Sequence, residues 1–151
     1  MNAQGLPGRV PAAVTPLRPV EQAEELRVVR AATVDSLAAI RSVVSTWARA
    51  AGLPADALVD LLLAVGEVTA NVVDHAYRGG APGSVEVDLQ VRARRSGRVI
   101  IARIRDHGRW RPETAPSRDR GRGLPMIRAL AEKLRVATTA QGTEVFLELA
   151  V

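Results

Sequence analysis

A chain of 151 residues, 47% hydrophobic and 25% charged, is long enough to bury one core and has the balance of an ordinary globular domain. The absence of cysteine excludes disulfides, iron–sulfur ligation, thiolate zinc sites and a cysteine nucleophile, and two histidines, His75 and His107, are too few for a histidine metal cluster. The net charge of +5 is carried almost wholly by arginine, with Lys133 the single lysine; aromatics at 3% argue against a base-stacking surface, and no apolar run approaches the roughly 18 residues of a membrane span.

Residues 1–22 hold Pro7, Pro11, Pro16 and Pro19 without apolar periodicity, and they read as a flexible tail with no secretory signal core. A cytoplasmic protein is the simplest expectation. Residues 25–32 suit a short edge strand. Residues 34–51 predict a helix with Leu37, Ile40, Val44 and Trp47 on one face, Ser36 or Asp35 placed to cap it and Gly52 ending it.

Residues 58–80 predict the central helix. Leu58, Leu61, Val65, Val68, Val72 and Ala76 recur at helical spacing, Pro54 stands near the start, and Gly79-Gly80 follows the end. Glu67 and Asn71 lie one turn apart on a single face, at the border of the buried stripe. A carboxylate there suits a general base, and an amide oxygen suits a hard cation such as magnesium.

After the loop 79–84, residues 85–94 alternate, with Val85, Val87, Leu89, Val91 and Ala93 inward. Arg95-Ser96-Gly97-Arg98 is a hairpin turn, and residues 99–105 return antiparallel to end in Asp106. Residues 107–120 have no apolar period and form a long loop, of the kind that is functional or disordered. Residues 123–134 predict a helix with Leu124, Ile127, Leu130 and Leu134 as its stripe. Residues 134–139 and 143–151 form a last hairpin across Gln141-Gly142, with Val145, Leu147, Leu149 and Val151 inward. Alternating strands with helices on one face make an α+β fold, a two-layer α/β sandwich with a mostly antiparallel sheet.

Three segments combine the residue types that nucleotide binding needs. Asp106-His107-Gly108 ends a core strand: the carboxylate suits a hydrogen bond from an adenine amino group, and the glycine lets a planar base approach the backbone. Arg120-Gly121-Arg122-Gly123-Leu124 opens a helix, where exposed N–H groups and flanking guanidinium groups favour phosphate. Glu67 and Asn71 would serve the reacting end, and the Thr143 hydroxyl is suited to a second hydrogen bond at the adenine end. Taken singly, each pattern is also an ordinary turn, loop or solvated charge run, and His75 and His107 read as a packed helix residue and a loop residue.

GEVTANVVDHAY, IRDHG and RGRGLPMIRALAEKL resemble the N box and the two glycine boxes of the gyrase, histidine kinase and MutL-type ATPases. Within that superfamily the chain is most similar to bacterial anti-sigma factor serine/threonine kinases, over residues 23–151. The resemblance implies the Bergerat ATP-binding fold and ATP with magnesium as cofactors. It implies Glu67 as general base, Asn71 as magnesium ligand, Asp106 and Gly108 at adenine, and Gly121 and Gly123 at the lid and phosphates. Arg120 or Arg122 would stabilise charge on the γ-phosphate, Leu124 belongs to the same nucleotide-binding glycine box, and Thr143 would support the adenine end. It further implies a STAS-type anti-anti-sigma factor as substrate, a sigma factor as binding partner and a homodimer, with no direct nucleic-acid or membrane contact. The pattern departs at Trp110, where many members have a glycine bordering the lid. That departure motivates the alternative, a non-catalytic or weakly nucleotide-binding sigma-factor antagonist. A histidine kinase catalytic domain is disfavoured by the absence of a phosphoacceptor helix pair, and a gyrase-like or MutL-like ATPase by the absence of a following transducer domain.

Overall fold

A computed structural model describes residues 24–109 and 123–151. The proposed tail and most of the long loop, Trp110 included, lie outside the described residues.

The elements follow the predicted order: β1 (Glu25–Ala31), α1 (Val34–Ala50), α2 (Ala55–Asn71) continued by a π-helical turn (Val72–Ala76), β2 (Ser84–Arg94), β3 (Gly97–Asp106), α3 (Gly123–Leu130), β4 (Lys133–Thr139) and β5 (Gly142–Ala150). The strands form a single five-stranded sheet in the order β1-β2-β3-β5-β4, with every pairing antiparallel. β1 is an edge strand, as its position in the sequence predicts.

One sheet face is apolar because each strand alternates. Val28, Val87, Ile104 and Val145 lie in register across four strands and are all buried, as are Leu89, Ala102 and Leu147 in the next row. The helices cover that face with Ile40, Val44 and Trp47 from α1, Leu61, Val65 and Val68 from α2, and Ile127 from α3. Together these side chains form one core. The opposite face is polar and bears crossed ion pairs. Arg27 meets Glu86 at 3.1 Å, Arg105 meets Glu86 at 3.5 Å and also Asp88, and the Arg103 guanidinium lies 5.3 Å from the Phe146 ring centroid. This is the two-layer α+β sandwich the alternation predicts.

Five local expectations are corrected. Thr33, not Ser36 or Asp35, is the N-cap of α1, and its hydroxyl lies 3.1 Å from that of Ser36. The central helix starts at Ala55, earlier than residue 58. Its regular part stops at Asn71, and a π-helical turn carries it to Ala76 instead of a regular helix running to residue 80. The helix expected over 123–134 ends at Leu130, and Leu134 is a strand residue opposite Leu147. Ala93 is exposed, because β2 runs past the helical layer into its hairpin. Among the described residues, no helix is long and apolar enough to cross a membrane.

Candidate functional site

α2 presents its apolar stripe to the sheet and leaves Glu67 and Asn71 half-buried on the flank of that stripe. Between them the Thr69 hydroxyl turns inward and donates to the Val65 carbonyl at 2.8 Å, so this buried polar group is satisfied within the helix. Immediately after Asn71 the helix widens into its π turn, a local irregularity common at functional positions.

The end of β3 docks on that turn. The Gly108 Cα faces the Ala76 backbone so closely that any side chain at 108 would fall on the Ala76 carbonyl, and the Arg109 N–H donates to the Ala76 oxygen at 2.8 Å. Glycine at 108 is thus a packing requirement of this corner. Asp106 is 3% exposed, and its Oδ1 accepts the Gly108 N–H at 2.9 Å.

Asp106 is the register partner of Thr143, the second residue of β5. Thr143 is also 3% exposed, and its hydroxyl has no hydrogen-bond partner among the described residues. A buried orphaned hydroxyl costs free energy on the order of 1–3 kcal/mol, so its persistence beside a buried carboxylate points to a ligand with complementary hydrogen-bonding groups. A cavity of about 310 Å³ at this end opens on the polar face of the sheet, lined by Arg105, His107, Ala137, Thr139 and Glu144 among others, whereas Asp106 and Thr143, one residue out of phase with Arg105 and Glu144, are buried toward the helix-covered face. Gly142 has φ 136° and lies against the Asp106 carbonyl, which leaves no space for a side chain.

His107 turns away to the polar sheet face, where Nε2 lies 3.0 Å from Glu86 Oε1. The hydrogen bond with His107, aided by the charges of Arg105 and Arg27, holds the Glu86 carboxyl below its ordinary range against the opposing effect of burial. His75 sits half-buried in the π turn.

α3 closes the group from another side. Gly123, its first residue, is buried directly against the Glu67 carboxylate, and a Cβ built there would coincide with Oε1. Leu124 is half-buried and packs against the core. Arg120, Gly121 and Arg122 lie outside the described residues. The carboxylate of α2 occupies the space a side chain at Gly123 would take. A negative group at that helix end is favourably placed, because the first N–H groups carry partial positive charge.

The fold therefore brings Glu67 to Gly123, Gly108 to the end of α2, and Gly142 with Thr143 to Asp106. Residues distant in the sequence meet at one end of the sheet. Among the described residues there is no cluster of three His, Cys, Asp or Glu able to hold a metal. Asn71 alone suits a cation whose other ligands are phosphate and water oxygens.

Sequence reasoning missed Tyr77, the chain's only tyrosine. Its hydroxyl accepts the His107 N–H at 3.0 Å and donates to the Ser84 carbonyl at 2.7 Å. The one available signal was its place between the end of a helix and Gly79-Gly80, and that signal does not reveal a contact with residue 107.

A sequence profile described as histidine kinase-like ATPase domain matches residues 30–149. Among solved structures, the RsbU and RsbW domains of Rv1364c from Mycobacterium tuberculosis superpose with a TM-score of 0.63 at 23% identity, over 83% of this chain and 32% of that one. The histidine kinase domain of a blue-light activated histidine kinase from Erythrobacter litoralis EL346 superposes with a TM-score of 0.51 at 21% identity, over 77% of this chain and 59% of that one. The chain thus spans about a third of the first structure and under two thirds of the second, and at these identities the likeness is one of fold.

Proposed function

For a chain that belongs to the histidine kinase-like ATPase domain family, we propose an ATP-dependent serine/threonine protein kinase that phosphorylates a STAS-type anti-anti-sigma factor and also binds a sigma factor, as a cytoplasmic homodimer. The observation that carries the nucleotide part is the buried pair Asp106 and Thr143, one a carboxylate and the other a hydroxyl without a partner among the described residues, side by side at the end of the sheet. The residues fit the edge of an adenine base: a hydrogen-bond acceptor at Asp106 beside a spare hydroxyl at Thr143. The serine/threonine specificity and the protein partners rest on the sequence resemblance.

In this reading Asp106 accepts a hydrogen bond from the adenine amino group, and Thr143 serves the same end of the base. Asn71 would hold magnesium. When bound, ATP supplies the γ-phosphoryl group and magnesium neutralises part of its charge. Glu67 orients the incoming hydroxyl and takes its proton. Arg120 or Arg122 would add positive charge at the phosphates, with the backbone of Gly121, Gly123 and Leu124.

Calorimetric titration with ATP, with and without magnesium, tests the site on wild type and Asn71→Ala. The expected result is magnesium-dependent binding that the variant loses. Incubation with radiolabelled ATP and a STAS-domain protein then tests the reaction, with Glu67→Ala expected to bind ATP and fail to transfer. A wild type that binds no nucleotide yet captures a sigma factor would replace this reading by the non-catalytic antagonist.

A further inference from the structure

The three amides that follow Asp106 have three different acceptors. The Gly108 N–H donates to Asp106 Oδ1 at 2.9 Å, a bond internal to the corner. The His107 N–H donates to Tyr77 Oη at 3.0 Å, and the Arg109 N–H to the Ala76 carbonyl at 2.8 Å. The last two acceptors lie on the segment leaving α2, a few residues past Asn71. The corner that carries Asp106 is therefore located relative to α2 by Ala76 and Tyr77, and Tyr77 acts through its side chain.

The phenol is itself fixed. Its ring lies where a side chain at Gly83 would have to go, and its hydroxyl donates to the Ser84 carbonyl at 2.7 Å. With the proton committed to Ser84, the oxygen is oriented to accept from His107. One side chain thus joins the end of α2, the start of β2 and the end of β3.

We infer that Tyr77 is a positioning residue that sets the base selectivity of the nucleotide site. The inference rests on the nucleotide reading above and names what fixes the discriminating group. A buried carboxylate at Asp106 matches the amino group of adenine and repels the carbonyl that guanine carries at the same ring position. Such discrimination is strong only while the acceptor is held in place by its supporting contacts. Tyr77→Phe keeps the ring on Gly83 but removes the oxygen between Ser84 and His107, so the corner loosens where it meets α2.

The test is calorimetric titration of wild type, Tyr77→Phe and Arg98→Ala with ATP and with GTP, each with magnesium, together with hydrogen exchange of the His107 amide without nucleotide. Arg98 caps α1 from the other end of β3 and serves as a matched destabilised control. In Tyr77→Phe, ATP affinity is expected to fall about tenfold while GTP affinity stays near that of wild type, so the selectivity ratio falls about tenfold. The His107 amide should exchange at least about tenfold faster. Arg98→Ala should melt earlier and keep the wild-type ratio. An unchanged ratio in Tyr77→Phe overturns the inference even if His107 exchanges faster, since Tyr77 is then structural only. Unaltered His107 exchange, or an equal loss of selectivity in Arg98→Ala, also overturns it. A wild type that binds neither nucleotide overturns the nucleotide reading itself, a result visible before any variant is compared.

Discussion

The Glu67 carboxylate and the Gly123 backbone share one space: the carboxylate of α2 lies where a side chain on the first residue of α3 would have to be. The residue proposed to handle the proton is the one on α2 that meets the first residue of α3. The position of α3 and the placement of that carboxylate are therefore linked.

Gly123→Ala should expose this link. The methyl group forces Glu67 aside or pushes α3 outward, at a cost of about 1–3 kcal/mol in denaturant unfolding. Phosphoryl transfer should fall further than ATP affinity does. Gly66→Ala is the contrasting variant: its Cβ would meet nothing within 4 Å, in the middle of α2, so it should stabilise the chain by about 0.4–1 kcal/mol.

Thr143→Val separates fold from function in the opposite sense. Valine fills the same volume without a hydroxyl, so the ligand-free protein should gain about 1 kcal/mol by losing a buried orphan. Nucleotide affinity should drop in the same variant. Thermal unfolding and calorimetry on one sample read both, and loss of stability without loss of affinity would count against a ligand at Thr143.

Acid sensitivity should fall on Glu148 as well as on Glu86. The Glu148 carboxylate faces the polar side of the sheet with its side chain only 8% exposed, accepting from Arg94 at 2.5 Å and Lys133 at 3.0 Å. The Arg94 hydrogen bond, and then Lys133, hold its carboxyl below the ordinary 4.5 despite burial. Its folded value lies below the unfolded one, so its contribution is complete above about pH 4.5 and is lost as pH falls through the folded value. Glu148→Gln should cost about 1–3 kcal/mol at pH 7, and the gap to wild type should close in urea titrations at strongly acidic pH.

Arg98 holds the corner between the first two helices. Its guanidinium donates to the Ala51 carbonyl at 3.0 Å and the Gly52 carbonyl at 2.7 Å, at the C-terminal end of α1. Arg98→Ala should cost about 1 kcal/mol and lower the melting temperature by about 2–4 °C, leaving nucleotide binding unchanged.

The order of elements, the edge position of β1, the inward faces of β2, β3 and β5, and the stripe of α2 follow from apolar spacing, because burial against one partner layer imposes a period of two on strands and 3.6 on helices. Boundaries were less visible. Leu134 continues the apolar period of α3, yet strand pairing with Leu147 claims it, since a hydrogen-bonded neighbour outweighs local helical spacing. The motif residues Glu67, Asn71, Asp106 and Thr143 could be picked out by type and spacing. That Glu67 meets Gly123, that Gly108 rests on Ala76, and that one tyrosine pins the Asp106 corner could not be read from the chain, because these contacts join residues 30 to 56 positions apart through packing that no local pattern encodes. Spacing chose the elements and the chemistry; long-range packing chose which groups touch.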